Sequence, residues 1–292
     1  MRALNTLKST VTNPRMAKRV AQFVVNDLNS LFGRHHYQSR IIFIAGMPKS
    51  GTTWLSSMLS HIPGYNLRPI RDPGQTTIQH NICDAVFTSL PTYGYSVVKL
   101  HTKYTPDNYR IITRYTDKFI VMYRDLRDMC VSRYFHVRAD ITHRHHKLYQ
   151  DMSLEDGLSH SISMLSEHYV EWMRGWYEQI AKVPDVIMPV RYEDLNLHTG
   201  ETLQRVTEFF RIPIGHDTLD KLAKTKLQNK ESLGPTFNQN KSQLIRSTAR
   251  KGAIGEWREC FSPEHLRKIK AVAGEVLIMT GYESTSDWDC IT

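Results

Sequence analysis

The sequence predicts an α/β protein: one domain, with a central parallel β-sheet flanked by helices and a P-loop-type strand–loop–helix cradle. Three observations predict it. Short apolar runs alternate with segments of helical period along most of the 292 residues, the pattern of repeated strand–helix units. The run Ile41 to Ile44 passes through Ala45-Gly46 into a short loop, and a helical pattern starts at Thr52. That is a buried strand feeding a glycine-bounded turn, where backbone N–H groups and the helix dipole favour an anion. Hydrophobic residues make up 40% of the chain, enough for a sizeable core, and the length suits one α/β unit with insertions.

Charge narrows the partners. Lys and Arg number 38 against 29 Asp and Glu, a net charge of +9, which favours anionic ligands or surfaces. No RNA-binding aromatic motif or zinc-finger spacing is present, so nucleic acid is not expected. Cys83, Cys130, Cys260 and Cys290 are far apart and form no C-x-x-C pair, which reads as reduced, buried thiols in a cytoplasmic protein. No signal-peptide apolar region is evident, and no apolar run approaches the ~20 residues of a membrane span.

Residues 1–40 are expected to form a basic amphipathic helical extension, and 41–292 the main domain. Asn13-Pro14 can cap and open a helix, and Gly33 can stop it. Met16, Val20, Phe23, Val24, Leu28, Leu31 and Phe32 recur at helical spacing, with Arg15, Lys18 and Arg19 at one end. Two readings stand: a helix packed on the domain's flank, or a helix that touches a membrane or partner through residues 14–33.

The loop at 46–53 nearly fits G-x-x-x-x-G-K-[ST]. Gly46 and Gly51 have the spacing and Thr53 the hydroxyl position, but Thr52 stands where lysine is needed and the lysine, Lys49, lies inside the loop. A phosphate cradle is expected; a standard γ-phosphoryl and magnesium site, as in a kinase, is not. The heptapeptide Pro48 to Trp54, PKSGTTW, resembles the 5′-phosphosulfate loop of sulfotransferases that use 3′-phosphoadenosine 5′-phosphosulfate (PAPS). The resemblance implies PAPS as co-substrate, 3′-phosphoadenosine 5′-phosphate (PAP) as product, and no metal. It puts Lys49 on the oxygen bridging phosphate and sulfate, with Ser50, Gly51, Thr52, Thr53 and Trp54 completing the cofactor loop.

Thr53 to His61 continues as a helix ended by Pro63-Gly64, and residues 65–80 read as a loop walling an acceptor pocket. Tyr95 to Leu100 is the next strand, with His101 just past its end, where ligands of parallel sheets bind. A lone histidine is more often structural. The spacing of Lys99 and His101, however, resembles the family's K-x-H, which implies His101 as general base and Lys99 as a stabiliser of developing charge. Lys118 to Tyr123 is a third strand. Beyond it, Arg124 and Ser132 resemble the family's 3′-phosphate element, R-x₇-S, while Arg127 and Asp128 also suit internal ion pairing.

Residues 133–151 carry His136, His143, Arg144, His145, His146 and Lys147. With no carboxylate or cysteine at ligand spacing, a mobile basic lid near the acceptor is expected rather than a metal site. Leu154 to Ile180 reads as one or two helices with a core-facing aromatic stripe. Asp185 to Val190 is a strand, followed by Tyr192-Glu193-Asp194, where the resemblance places Tyr192, with Trp54, by the adenine. Thr202 to Phe210 and Leu219 to Leu227 read as helices. Thr225 matches a nucleotide-contacting Ser/Thr of the family, although Leu227 replaces the usual phenylalanine. Residues 228–249 are polar. Arg250, Lys251 and Gly252, followed by Gly255-Glu256-Trp257, resemble the second 3′-phosphate clamp. Ser262-Pro263-Glu264 starts a last helix, to about Met279.

The resemblance covers about 41–282. It implies a cytosolic-type enzyme that moves a sulfuryl group to a hydroxyl or amine of a small acceptor, a phenol or hydrophobic alcohol, with His101 as base. Alternatives are a nucleotide or small-molecule kinase on the same cradle and a non-catalytic nucleotide-binding, membrane-associated protein. The family's dimer motif, K-x-x-x-T-V-x-x-x-E, is not matched by Arg258, Ser262, Pro263 and Arg267, so oligomeric state is left open.

Overall fold

The computed structural model describes residues 14–68, 70, 80–224 and 252–288. In chain order the elements are α1 (Pro14–Leu31), β1 (Ile41–Gly46), α2 (Thr52–Leu59), β2 (Tyr65–Leu67), α3 (Ala85–Thr88) and β3 (Tyr95–Leu100). Next come α4 (Pro106–Tyr115), β4 (Phe119–Tyr123), α5 (Leu126–Ala139), α6 (His146–Asp151), α7 (Leu154–His168), α8 (Val170–Lys182) and β5 (Ile187–Arg191). The rest are α9 (Tyr192–Leu197), α10 (Thr199–Phe209), α11 (His216–Ala223), α12 (Trp257–Cys260) and α13 (Pro263–Met279).

The five strands form one sheet in the order β2-β3-β1-β4-β5, and every neighbouring pair is parallel. Ala45 pairs with Leu100, Gly46 with Met122, and Tyr123 with Arg191. The carboxyl ends of β1, β3, β4 and β5 therefore finish close to one level. The residues that follow them, the 47–51 loop, His101, Arg124 and Tyr192, emerge along one edge, where open parallel sheets bind ligands.

Side chains alternate across the strands and build a core on each face. Phe43, Ala45, Val98, Leu100, Phe119 and Val121 join residues of α5, α7, α8 and α13. Ile42, Ile44, Val97, Ile120, Met122 and Val190 join residues of α2, α9, α10 and α11. Trp172 and Trp176 of the aromatic stripe are buried in the first core, and Trp176 also donates to the Thr102 carbonyl at 2.9 Å.

Four sequence expectations change. Residues 65–67 are an edge strand rather than loop, too short to show an alternation. α4 was not expected; Thr105 caps it and Pro106 opens it. The 133–151 segment is not a free lid. Arg133, Tyr134 and Val137 are buried on α5, and Arg133 donates to the buried Tyr149 hydroxyl on α6. Tyr134 packs so closely on α7 that a Cβ at Gly157 would lie 2.2 Å from its Cε2. Finally, among the described cysteines only Cys130 is buried, Cys83 being exposed and Cys260 half-buried. Cys290 lies outside the described residues. Among those described, no helix is long and apolar enough to cross a membrane.

Candidate active site

The loop between β1 and α2 is shaped by two left-handed residues, Lys49 at φ 65° and Gly51 at φ 83°. The second is glycine's natural territory; the first is strain carried by a lysine, a cost met at functional sites. Ser50 is fully buried and braces the turn by donating to the Met47 carbonyl at 2.6 Å. Gly46 lets α2 approach, since a Cβ there would lie 1.8 Å from Thr52 Cγ2. The N-cap of α2, Gly51, has no side chain to cap the helix; its carbonyl takes the N–H groups of Trp54 at 2.9 Å and Leu55 at 3.1 Å, and the positive end of the helix faces the loop.

Lys99, on β3, donates from Nζ to Thr53 Oγ1 at 3.0 Å. His101 places Nδ1 2.7 Å from the Gly46 carbonyl oxygen. A carbonyl only accepts, so Nδ1 carries the proton and Nε2 is the basic nitrogen of the neutral ring. Burial, helped by the Lys99 charge, lowers its pKa to about 4. Lys49 is lowered to about 8 by burial and by the Arg124 charge, with Asp140 pulling the other way and Lys99 adding to the depression. Lys49, Lys99 and Arg124 thus concentrate positive charge around the loop.

Arg124 leaves the end of β4 and lies nearly buried, its guanidinium 4.3 Å above the Tyr192 ring. It donates to the Ala253 carbonyl at 2.6 Å and reaches Asp128 at 3.5 Å. Its Nε is buried with no hydrogen-bond partner among the described residues. Asp128, one turn along α5, accepts from the backbone N–H of Gly255 at 2.8 Å and of Trp257 at 3.1 Å. Tyr192 donates to the Gly252 carbonyl at 2.8 Å, and Asn196 donates to the same oxygen at 2.9 Å. Gly252, at φ 68°, is therefore held by two donors one turn apart on α9. Ser132 sits half-buried, two turns beyond Arg124 along α5.

The structure brings Lys49, Ser50, Gly51, Thr52, Thr53, Trp54, Lys99, His101, Arg124, Tyr192 and Gly252 to one edge of the sheet. Tyr192 is buried between Gly51, Arg124 and Gly252, and Trp54 meets its edge at 6.4 Å. Thr225, Arg250 and Lys251 lie outside the described residues. Arg127 is committed elsewhere, paired with Asp125 at 2.7 Å and with Glu283, and stacked on Trp257 at 4.0 Å. Sequence reading did not single out Asp128 and Asn196, which hold the backbone of Gly252, Gly255 and Trp257. The available signal was spacing: each lies four residues beyond a singled-out residue on a helix. His136 was read as lid; the Lys49 charge bears on it, and burial followed by that charge lowers its pKa to about 4. Its ring stands 6.1 Å from His143, but among the described residues no three His, Cys, Asp or Glu side chains group to hold a metal ion.

A parallel α/β sheet with a strained phosphate loop at its carboxyl edge, ringed by cations, defines a protein that binds an anionic nucleotide or similar ligand. A sulfotransferase-domain profile matches residues 39–281, and the chain belongs to the sulfotransferase family. Flavonol 3-sulfotransferase of Flaveria bidentis is 24% identical over 277 residues, covering 82% of each chain. Amine sulfotransferase of Oryctolagus cuniculus is 21% identical over 249 residues, 80% of this chain and 79% of the relative. In structure, the fold is shared with a mouse sulfotransferase complexed with PAP, at TM-score 0.60 and 16% identity over 82% and 84% of the two chains. Retinol dehydratase in complex with retinol and PAP gives 0.58 at 16% identity over 85% and 84%.

Proposed function

We propose that this protein transfers the sulfuryl group of PAPS to a hydroxyl or amine of a small acceptor. The observation that carries the reading is the convergence of Lys49, Lys99 and His101 on one loop, with His101 fixed so that Nε2 is its basic nitrogen. The residues fit the donor. The orphaned, buried Nε of Arg124 is a donor waiting for an anion, and Gly51 and Gly252 let backbone approach closely. Among relatives, some are named cytosolic sulfotransferases, of Arabidopsis thaliana, which supports a cytoplasmic placement for this chain.

When bound, PAPS supplies the sulfuryl group, whose bond to a phosphate oxygen breaks as a bond to the acceptor oxygen or nitrogen forms. His101 takes the acceptor proton on Nε2. Lys49 neutralises charge on the departing phosphate oxygen, and Lys99 with the α2 N–H groups stabilises the equatorial oxygens. Arg124, Ser132 and Gly252, with Arg250 and Lys251 as the sequence implies, hold the 3′-phosphate. Trp54 sits toward the adenine. Tyr192, with its hydroxyl spent on Gly252, acts through the loop and clamp it holds together. Thr225 joins the nucleotide contacts on the sequence match alone. No metal is assigned a role.

For the acceptor we favour a phenol or hydrophobic alcohol. A histidine base supports this, as do relatives named for flavonols and a neighbour crystallised with retinol. Calorimetric titration with PAP beside Mg-ATP tests the donor. Metal-independent binding of PAP, lost in Arg250→Ala, is expected; preference for Mg-ATP, or binding of neither, would overturn the reading.

A further inference from the structure

Helix α1 is mounted inside out. Its protein-facing side is polar: Asn26, 3% exposed, donates to the Tyr65 carbonyl at 2.9 Å and to Asn66 Oδ1 at 3.1 Å. Asp27 accepts from Asn66 at 2.9 Å and pairs with Arg68 at 2.6 Å. The Asn66 side chain also donates to the Phe23 carbonyl at 3.1 Å. The helix thus docks on edge strand β2 through hydrogen bonds. Phe23 is half-buried beneath the Arg68 guanidinium at 4.4 Å, but the apolar residues beyond it point away: Val24 is 51% exposed, Val25 47%, Leu28 45%, Leu31 60%, and Phe32, just past the helix, 78%. On a surface helix the apolar stripe ordinarily faces the core. Here the stripe is left for something else, and polar bonds to β2 hold it in that orientation.

Charge decides what that is. Residues 1–40 carry seven Lys and Arg against one acid, Asp27, so they hold six of the chain's nine net positive charges. That one acid is already paired with Arg68. Arg34 and His36, directly after the stripe, are exposed. A second copy of so basic a segment would be repelled. An anionic lipid surface complements both properties at once, taking the apolar stripe at the acyl boundary and Arg34 among its headgroups, with the basic excess of the segment as a whole drawing it there. We propose that the second half of α1 and the turn after it, residues 24–34, form a docking face for an anionic membrane surface, on which the protein lies without spanning it.

The test is co-sedimentation of the full chain with phosphatidylcholine vesicles and with vesicles of equal parts phosphatidylcholine and phosphatidylserine. Binding to the anionic vesicles is expected, weakened by salt, and reduced at least ~tenfold in a Leu28→Gln, Leu31→Gln, Phe32→Gln triple variant. These side chains lie outside the candidate active site, so PAP affinity, measured in parallel, should stay unchanged and report that the variant is folded. Arg34→Glu, which keeps the stripe, should also weaken anionic binding and carries the test should the triple variant fail to fold. A chain that stays in the supernatant, that binds both vesicle types equally, or whose Arg34→Glu and triple variants sediment as the parent does, would overturn the proposal. So would a lipid-free dimer, seen by sedimentation velocity, that the triple variant dissolves, because a second copy would then cover the face.

Discussion

His101 Nδ1 lies 2.7 Å from the carbonyl oxygen of Gly46, the last residue of β1. One backbone carbonyl thereby sets the tautomer of a side chain just past the neighbouring strand, and the loop it precedes holds Lys49. Replacing His101 with Ala should lower kcat by ~10²–10⁴-fold, the usual contribution of a positioned base, and leave PAP affinity near normal. Steady-state kinetics beside calorimetry checks this; full turnover in the variant would remove His101 from the mechanism.

Asp128 joins two segments far apart in sequence by accepting from the N–H groups of Gly255 and Trp257. Asp128→Asn keeps the volume but presents an amide group where only acceptors suit. The expected cost is ~1–3 kcal/mol, the penalty for a buried group left unpaired, and it should appear in both PAP affinity and melting temperature. An unchanged affinity would mean that the clamp does not depend on this carboxylate.

Lys49 is lowered to about 8, chiefly by burial and then by Arg124. The charged form binds an anion, so PAP affinity of the free enzyme should fall as pH rises through about 8. Lys49→Arg, which stays protonated, should flatten that limb. Titrations at a series of pH values decide it, and an identical alkaline limb in the variant would assign the effect elsewhere.

His101, His136 and His143 are each lowered to about 4 from the ordinary 6.5, with burial the leading cause in all three. The unfolded chain therefore binds protons first. Stability from these groups is present above about 6.5 and is lost as pH falls through the window down to about 4. Thermal melts of His136→Asn against the parent should show a shallower acid-side loss in the variant; parallel curves would count against the buried, neutral ring.

At Gly46 an added Cβ would meet Thr52 Cγ2 at 1.8 Å. Gly46→Ala should destabilise by ~1–3 kcal/mol, as overpacking does, and weaken PAP binding by displacing α2. Adding Thr52→Ser removes the obstructing methyl and should recover part of the loss. Denaturant melts of the single and double variants measure both effects.

How much of this was written in the chain depends on how local each feature is. The strand Ile41 to Ile44, the loop through Lys49, the step from Leu100 to His101, and Arg124 at the end of β4 are contiguous patterns. Their residues share a few backbone units, so composition and spacing suffice to find the strands and the loop, while His101 and Arg124 stood out only through the resemblance to the family's K-x-H and R-x₇-S; parallel pairing then brings the strand ends to one edge. β2 was hidden because three residues cannot display a period. The histidine segment looked mobile because Arg133 and Tyr134 find their partners on α6 and α7, which spacing does not announce.

The sequence by itself determined the α/β class, the phosphate loop with its misplaced lysine, and the amphipathic character of residues 14–33. Only the tertiary structure decided that Asp128 reaches Gly255, 127 residues away, that Tyr192 is closed in by Gly51 and Gly252, and that α1 turns its apolar stripe outward. The first two are contacts between segments distant in sequence, which no local pattern announces; the third has its own reason. A periodic pattern states that a helix has two faces, but which face is buried depends on the hydrogen-bond partners waiting on the surface it meets, here Tyr65 and Asn66 on an edge strand.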